Sequence, residues 1–338
     1  MTPIFHPQLV NDPFGDPAVY VDFLFERRAL LFDLGDLASL PARKILRLSH
    51  IFVSHTHMDH FSGFDRVLRI CLGRERALAL YGPRGFIDQV EHKLAAYSWN
   101  LVQNYPTDFR LLAHEYTEGR PLRRAQFRCH GRFAREELEE QATVDGVLLD
   151  DENIRVRATP LDHDIPCLAF ALEEKMHINV WKNRLHEFGL PTGPWLQELK
   201  RQVRQGADDA TPISIHWRDH AGAHDKTLPL GILRTQVLRI VPGQKLAYVV
   251  DAVYHPENAQ RILDLAHAAD ILFIESVFLE RDMERAAGRF HLTARQAGTL
   301  ARAAGVNRLV TMHFSPRYSD EPDALRREAE TAFRAASE

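Results

Sequence analysis

The chain has 338 residues, 45% of them apolar and 26% charged, with a formal net charge of −4. This composition supports a large buried core and excludes a fibrous or disordered polypeptide. The slightly acidic balance excludes coating of nucleic acid by the whole surface, yet leaves room for an enzyme that handles a phosphodiester locally.

The longest apolar runs, such as Leu246–Val250 and Ile271–Ile274, fall far short of the roughly 20 residues that a bilayer requires. The Met1 end carries no basic-then-apolar signal, so a cytoplasmic protein without membrane partners is expected. Cys71, Cys129 and Cys167 are too few and too scattered for a disulfide framework, and none belongs to a Cys-x-x-Cys zinc pair. They read as reduced, mostly buried thiols.

In chain order, Leu30–Asp33 and Ile51–Ser54 read as short strands around a basic, helix-like stretch, Pro41–Leu48. Arg43, Lys44 and Arg47 read as the solvated face of that helix. Leu78–Tyr81, stopped by Gly82-Pro83, predicts a strand, and Phe86–Ala96 a helix. Strand character resumes at Ile154–Ala158 and Cys167–Leu172, and a polar stretch with Gly189, Pro191, Gly193 and Pro194 follows. Little in residues 205–227 suggests regular packing, which makes this the expected protruding segment. Beyond it come strand Lys245–Val250, a helix opened by Pro256, and strand Ile271–Ser276. A further helix has Thr293 and Gln296 in capping-box spacing and Gly305 past its end, before strand Leu309–Met312. Strands alternating with helices in two sets predict an α/β sandwich.

The chemistry concentrates in His55-Thr56-His57-Met58-Asp59-His60, at the end of the Ile51–Ser54 strand. Residues two apart in extended backbone point to the same side, so His55 and His57 can reach one ion. The turn that follows can aim Asp59 and His60 at a second. Four ligand-type side chains in six residues form a specific signal. His216, His220 and His224 also recur at every fourth residue, but Pro212, Asp219, Gly222 and Asp225 among them predict a solvated loop rather than a third metal site.

The His-x-His-x-Asp-His run resembles the signature of metallo-β-lactamase-fold hydrolases, and later segments resemble the ribonuclease Z branch, which trims the 3′ ends of precursor tRNA. Those segments are Leu161–Pro166, Val250-Asp251, Ile274-Glu275-Ser276, His291-Leu292-Thr293 and His313–Tyr318. The resemblance implies a four-layer αββα sandwich with a protruding arm, in one domain over 1–338. Within it, about 1–172 would form a first αβ half, 173–232 the arm or insertion, and 233–338 a second αβ half. It further implies two zinc ions per chain, with manganese as a possible substitute, held by His55, His57, Asp59, His60, His163 and His313 and bridged by Asp251. Taken singly, His163, Asp251 and His313 read more readily as hydrogen-bonded structural residues than as ligands. Asp59, Glu275 and His291 would be catalytic, the last two orienting one another to protonate the leaving 3′ oxygen. Two dications about 3.5–4 Å apart polarise a phosphodiester and generate hydroxide at neutral pH.

The segment Gly189–Trp195 followed by Leu196–Arg204 resembles the branch's Gly-Pro-rich arm, so Lys200, Arg201 and Arg204 are expected to meet RNA phosphates, with Ser315 and Arg317 at the substrate near the metals. A homodimer follows from the same resemblance. The chain departs from the branch in three places. Thr2–Tyr20 lacks a glycine-bearing first strand and a basic Pro-Lys-Arg-Asn loop, Phe61-Ser62-Gly63-Phe64 replaces a Gly-Leu-Pro run, and Ile274 stands for a histidine. The expected function is therefore a tRNA 3′-processing endoribonuclease. The alternatives are a hydrolase of the same fold acting on a small phosphodiester or another ester, and a metal-stabilised binding protein without turnover.

Overall fold

The computed structural model describes residues 4–335 apart from Phe25 and Ala221, so Thr2 and Pro3 of the N-terminal segment and the outermost residues of the 1–338 span lie outside the described residues. The chain divides into two compact units, one of residues 1–149, 156–172 and 245–338, the other of 150–155 and 173–244.

In the first unit, Phe5–Leu9, Val19–Phe23, Ala29–Phe32, Leu48–Phe52, Ala77–Pro83, Arg110–Tyr116, Leu122–Arg128 and Arg135–Gln141 form one sheet in chain order. Its middle, from Ala29–Phe32 to Arg110–Tyr116, is parallel, and its outer pairs are antiparallel. The second sheet runs Leu309–Met312, Ile271–Glu275, Lys245–Val249, Pro166–Glu174, Ile154–Asp162, Val147–Asp150. Strands from 147–174 thus pair with the C-terminal strands, and the first sheet closes at Gln141 rather than near 172. The strand before His55 is shifted from the expected Ile51–Ser54 to Leu48–Phe52, because the Ser54 N–H turns to the Asp33 side chain and its carbonyl to Leu168 of the second sheet.

Alternation along these strands builds the layers. Leu31 and Ile51 face one way, onto Phe64, Val67, Ile87 and Val90 of the covering helices. Phe32 and Phe52 face the other way and meet Phe170 and Tyr248 of the second sheet, with centroids 5.6–5.8 Å apart for three of these contacts. Ala247, Val249, Leu272 and Ile274 turn to the far side, against Ile262, Leu265, Leu300 and Ala301. The result is helix, sheet, sheet, helix, as expected. The expected capping box at Thr293 and Gln296 opens the Ala294–Ala303 helix, and Gly305 follows with φ +66°.

Two local expectations fail. The helix in Pro41–Leu48 is only Ala42–Ile45, and Arg47 lies beyond it, where its guanidinium donates to Phe23 O and Glu26 O at 3.1 Å and pairs with Asp22 at 2.9 Å. Arg47 therefore ties strand ends together rather than sitting on a solvated face. The stretch 205–227 is not irregular: Pro212–Asp219 and Gly222–Pro229 pair antiparallel in the second unit, His216 opposite Asp225 and Trp217 opposite His224. Isoleucines at 213 and 215 turn inward to the unit's apolar cluster, while the polar partners face out, so a strand period hid inside a polar composition. This unit starts where the insertion was expected but runs past 232 to Gln244, because Leu238–Val241 pairs with His177–Val180. Among the described residues, no helix is long and apolar enough to cross a membrane.

Candidate metal centre

The site lies at the C-terminal ends of parallel strands, where the chain leaves the sheet and side chains converge. His55 and His57 follow Leu48–Phe52, and His57 precedes a single helical turn, Met58–Phe61, which carries Asp59 and His60. That turn fits closely: a Cβ on Gly63 would come 2.4 Å from Gly35 O, so glycine is obligatory beside a motif whose neighbours otherwise depart from the family pattern. His163 sits between the strands Ile154–Asp162 and Pro166–Glu174, Asp251 beyond Lys245–Val249, Glu275 at the end of Ile271–Glu275, and His313 beyond Leu309–Met312. Asp251 and His313 adopt left-handed backbone, φ +51° and +58°, which aims each side chain back across the strand ends.

Every expected donor comes together. His55, His57, His163 and Asp251 offer donor atoms within 4.8 Å of one another, as do Asp59, His60 and His313, and so do Asp251, Glu275, His291 and His313. Asp251 presents both oxygens to the cluster: Oδ2 lies 3.4 Å from His55 Nε2, 3.1 Å from His163 Nε2 and 3.5 Å from His60 Nε2, and Oδ1 lies 2.9 Å from His313 Nδ1. Asp59 Oδ2 lies 3.2 Å from His313 Nε2 and 3.4 Å from His60 Nε2.

The electrostatics call for positive charge at this place. Burial pushes the His55 imidazole down to about 2, with His60 adding to the effect. Burial also opposes charge on His60, but Asp251 and Asp33 outweigh it and hold its pKa well above the usual histidine value. At His313 burial is likewise overcome, by Asp251 and Asp59, and the pKa is raised to about 10. Burial would raise the Asp59 and Asp251 carboxyls, yet the surrounding histidines hold both well below the carboxylate range. His55 Nε2, His60 Nε2, His313 Nδ1 and Asp251 Oδ1 are buried without an aligned hydrogen bond, although His313 Nδ1 and Asp251 Oδ1 are close. Donors that converge without bonding one another are what coordinated cations relieve, so this cluster can hold metal ions.

Glu275 is fully buried. Its Oε1 accepts from Ala252 N at 2.9 Å and Leu292 N at 3.1 Å, and its Oε2 is 2.8 Å from His291 Nδ1. The carboxylate therefore fixes His291 with its Nε2 turned outward. Ser315 caps the turn after His313 by accepting from Arg317 N at 3.4 Å, and the Arg317 side chain is exposed.

In the second unit, Lys200, Arg201 and Arg204 lie on the helix Trp195–Arg204, which buries Trp195, Leu199 and Val203 in that unit's apolar cluster. Arg201 is held by Glu198 and by Gln205 at 3.2 Å. Burial, then Arg204, lowers the Lys200 pKa, and both side chains are half-buried.

Sequence reasoning missed the support behind the histidines. Asp33 is fully buried with φ +58°. Its Oδ2 accepts from Ser54 Oγ at 2.7 Å and Tyr248 OH at 2.7 Å and lies 2.8 Å from His60 Nδ1, while Oδ1 accepts from Ser54 N at 2.6 Å. It thus keeps the proton of His60 on Nδ1 and frees Nε2. The signal was a lone carboxylate closing an apolar strand. The N-terminal segment also reaches the site: Pro13 O accepts from Phe314 N at 2.7 Å, and Phe14 packs edge-on against Phe314 at 5.3 Å.

Layers and site define a metallo-β-lactamase fold. The metallo-β-lactamase-fold protein YhfI of Bacillus subtilis aligns over 98% of this chain and 93% of its own with a TM-score of 0.56 at 15% identity. The short form of human tRNase Z aligns over 93% and 92% with a TM-score of 0.50 at 18% identity. In sequence, ribonuclease Z of Deinococcus radiodurans is 31% identical over 317 residues, 92% of this chain and 90% of the relative, and that of Bacteroides thetaiotaomicron is 29% identical over 313 residues, 90% and 82%. The chain belongs to the ribonuclease Z family. No family model matches it.

Proposed function

We propose that the protein is a dinuclear, zinc-dependent endoribonuclease that removes the 3′ trailer of precursor tRNA, acting as a homodimer in the cytoplasm. The observation that carries the reading is the place of Asp251 between the two donor sets: one oxygen faces His55, His163 and His60, the other His313. His55, His57, His163 and Asp251 would hold one ion, and Asp59, His60, His313 and the other Asp251 oxygen a second. Imidazole with carboxylate suits zinc, and manganese can replace it.

When bound, the ions supply Lewis-acid polarisation of the phosphodiester and a nucleophile at neutral pH. Asp59, with 42% of its side chain exposed, orients the attacking water and takes up its proton. His291, 17% exposed, gives a proton from Nε2 to the leaving 3′ oxygen, and Glu275 stabilises the imidazolium before that transfer. Ser315 and Arg317 hold the RNA beside His313. Lys200, Arg201 and Arg204 hold phosphates of the RNA, with part of the Arg201 charge engaged by Glu198.

The test compares precursor tRNA with bis(p-nitrophenyl) phosphate. Deleting residues 185–205 would strip Leu185, Leu190, Trp195 and Leu199 from the second unit's cluster, so charge removal is the cleaner change. Replacing Lys200, Arg201 and Arg204 by alanine is expected to weaken trailer removal most at low salt and less as salt rises, since each lost phosphate contact flattens the salt dependence by about one power of concentration. Hydrolysis of the small diester is expected to persist. A protein that hydrolyses the diester but leaves precursor tRNA uncut is instead a small-ester hydrolase.

A further inference from the structure

Two donors of the centre, His163 and Asp251, sit on loops far apart in sequence, and their mutual placement needs a physical cause. Each loop contains a non-glycine residue in the left-handed region, Asp164 at φ +61° and Asp251 at φ +51°. Such backbone persists only where the surroundings overdetermine it. One side chain bonds to both loops. Asn258, in the first turn of the helix Pro256–Ala266, is 2% exposed. Its Oδ1 accepts from Asp162 N at 2.9 Å, and its Nδ2 donates to Asp162 O at 3.1 Å and to Val253 O at 2.8 Å. Val253 N donates directly to Asp162 O at 3.1 Å. His255 closes the arrangement: its Nδ1 accepts from Asn258 N at 3.3 Å, and its Nε2 lies 3.4 Å from Asp162 Oδ2.

We propose that Asn258 is a positioning residue of the metal centre, whose side-chain amide clips the backbone before His163 to the backbone after Asp251 and so sets the distance between these two donors. The proposal rests on the reading of His163 and Asp251 as ligands. The site demands an amide. One planar group must accept from an N–H and donate to two carbonyl oxygens, which leucine cannot do at all. Aspartate would bring a buried negative charge against both carbonyls. Because Asp162 directly precedes His163, and Val253 is two residues from Asp251, a slip of this clip moves ligand atoms before it moves the sheet.

Zinc affinity of the full chain, measured by competition with a chromophoric chelator, tests the proposal together with the absorption spectrum of the cobalt-loaded protein. Asn258→Ala and Asn258→Asp are expected to lose about 10- to 100-fold in zinc affinity and to shift the cobalt bands, the usual scale for a residue that orients ligands. Ile262→Ala, one turn along the same helix and packed in the core, is the control: it is expected to lower the melting temperature while zinc affinity and cobalt bands stay as in the wild type. Should Asn258→Ala not fold, Asn258→Gln, with the amide one methylene further out, is read in the same way. Asn258 variants with wild-type affinity and spectrum would overturn the proposal. So would an Ile262→Ala variant that loses affinity equally, because the effect would then be general loosening. A wild-type protein that binds no zinc overturns the metal reading, and this proposal with it. Zinc binding without cleavage of precursor tRNA overturns only the substrate.

Discussion

The molecule has two groups of histidines that look alike in sequence and behave oppositely in the fold. Around Asp251, rings from three segments converge, His55 and His60 at 4.1 Å between centroids, His55 and His163 at 5.1 Å, His60 and His313 at 5.1 Å. On the hairpin of the second unit, His216 takes Asp225 and His224 takes Asp219 at 2.8 Å, each across the ladder with a carboxylate of its own. A spacing of four would align ligands on a helix, but a strand sends alternate residues to opposite faces, and antiparallel pairing hands each of these two histidines a separate partner. Ligand-type residues become a centre only where burial and shared carboxylates leave their lone pairs without other partners.

The most severe way to break this comparison is Asp251→Ala. With the shared carboxylate gone, both donor sets lose a member, and turnover is expected to fall by at least about 1,000-fold with metal content below that of the wild type, as elemental analysis and initial rates would show. Wild-type metal content in that variant would dissolve the bridging role.

A smaller loss, roughly 100-fold in kcat, is expected for His291→Ala and for Glu275→Gln, with metal content preserved, because general-acid partners act on the leaving group rather than on the ions. Metal depletion in either variant would move that residue into the coordination shell, which the closeness of Glu275, His291, His313 and Asp251 permits geometrically.

His114 sharpens the contrast from a third side, since it is buried without a carboxylate. Burial lowers its pKa to about 4, a pull that its contact with Leu80 O at 3.2 Å only partly offsets. In the unfolded chain the group takes up a proton near pH 6.5, whereas the folded one stays neutral to about 4. Stability is thus intact above about 6.5 and falls as pH drops towards 4. Replacing His114 by Gln is expected to flatten that fall by on the order of 2 kcal/mol between pH 7 and 4.5, read from urea melts of the metal-free protein. An unchanged slope would show that the ring does not titrate differently on folding.

The smallest expected effect is none: His216→Ala and His224→Ala leave metal content and diester hydrolysis at wild-type values, since both histidines pair on an exposed hairpin. A lost equivalent of zinc would reveal a third site.

What the sequence determined by itself was local. A strand followed at once by His55, His57, Asp59 and His60 compels those donors to one place, because the period of two and a single helical turn leave the backbone few other routes. The capping box at Thr293, Gly305 behind its helix and the alternating run from Ile154 were legible for the same reason: each depends on neighbours within a few residues. The strands Arg110–Tyr116, Leu122–Arg128 and Arg135–Gln141 were not read, because charged residues crowd them and their apolar alternation is interrupted. Tertiary structure alone decided that Asp33 and Tyr248, 215 positions apart, meet behind His60, and that Asn258 joins Asp162 to Val253. It also decided that the 212–229 segment is a hairpin rather than a loop. For Asp33 with Tyr248 and Asn258 with Asp162 the deciding partner lies far along the chain, and a buried polar group declares its partner only when the fold has removed water as the alternative.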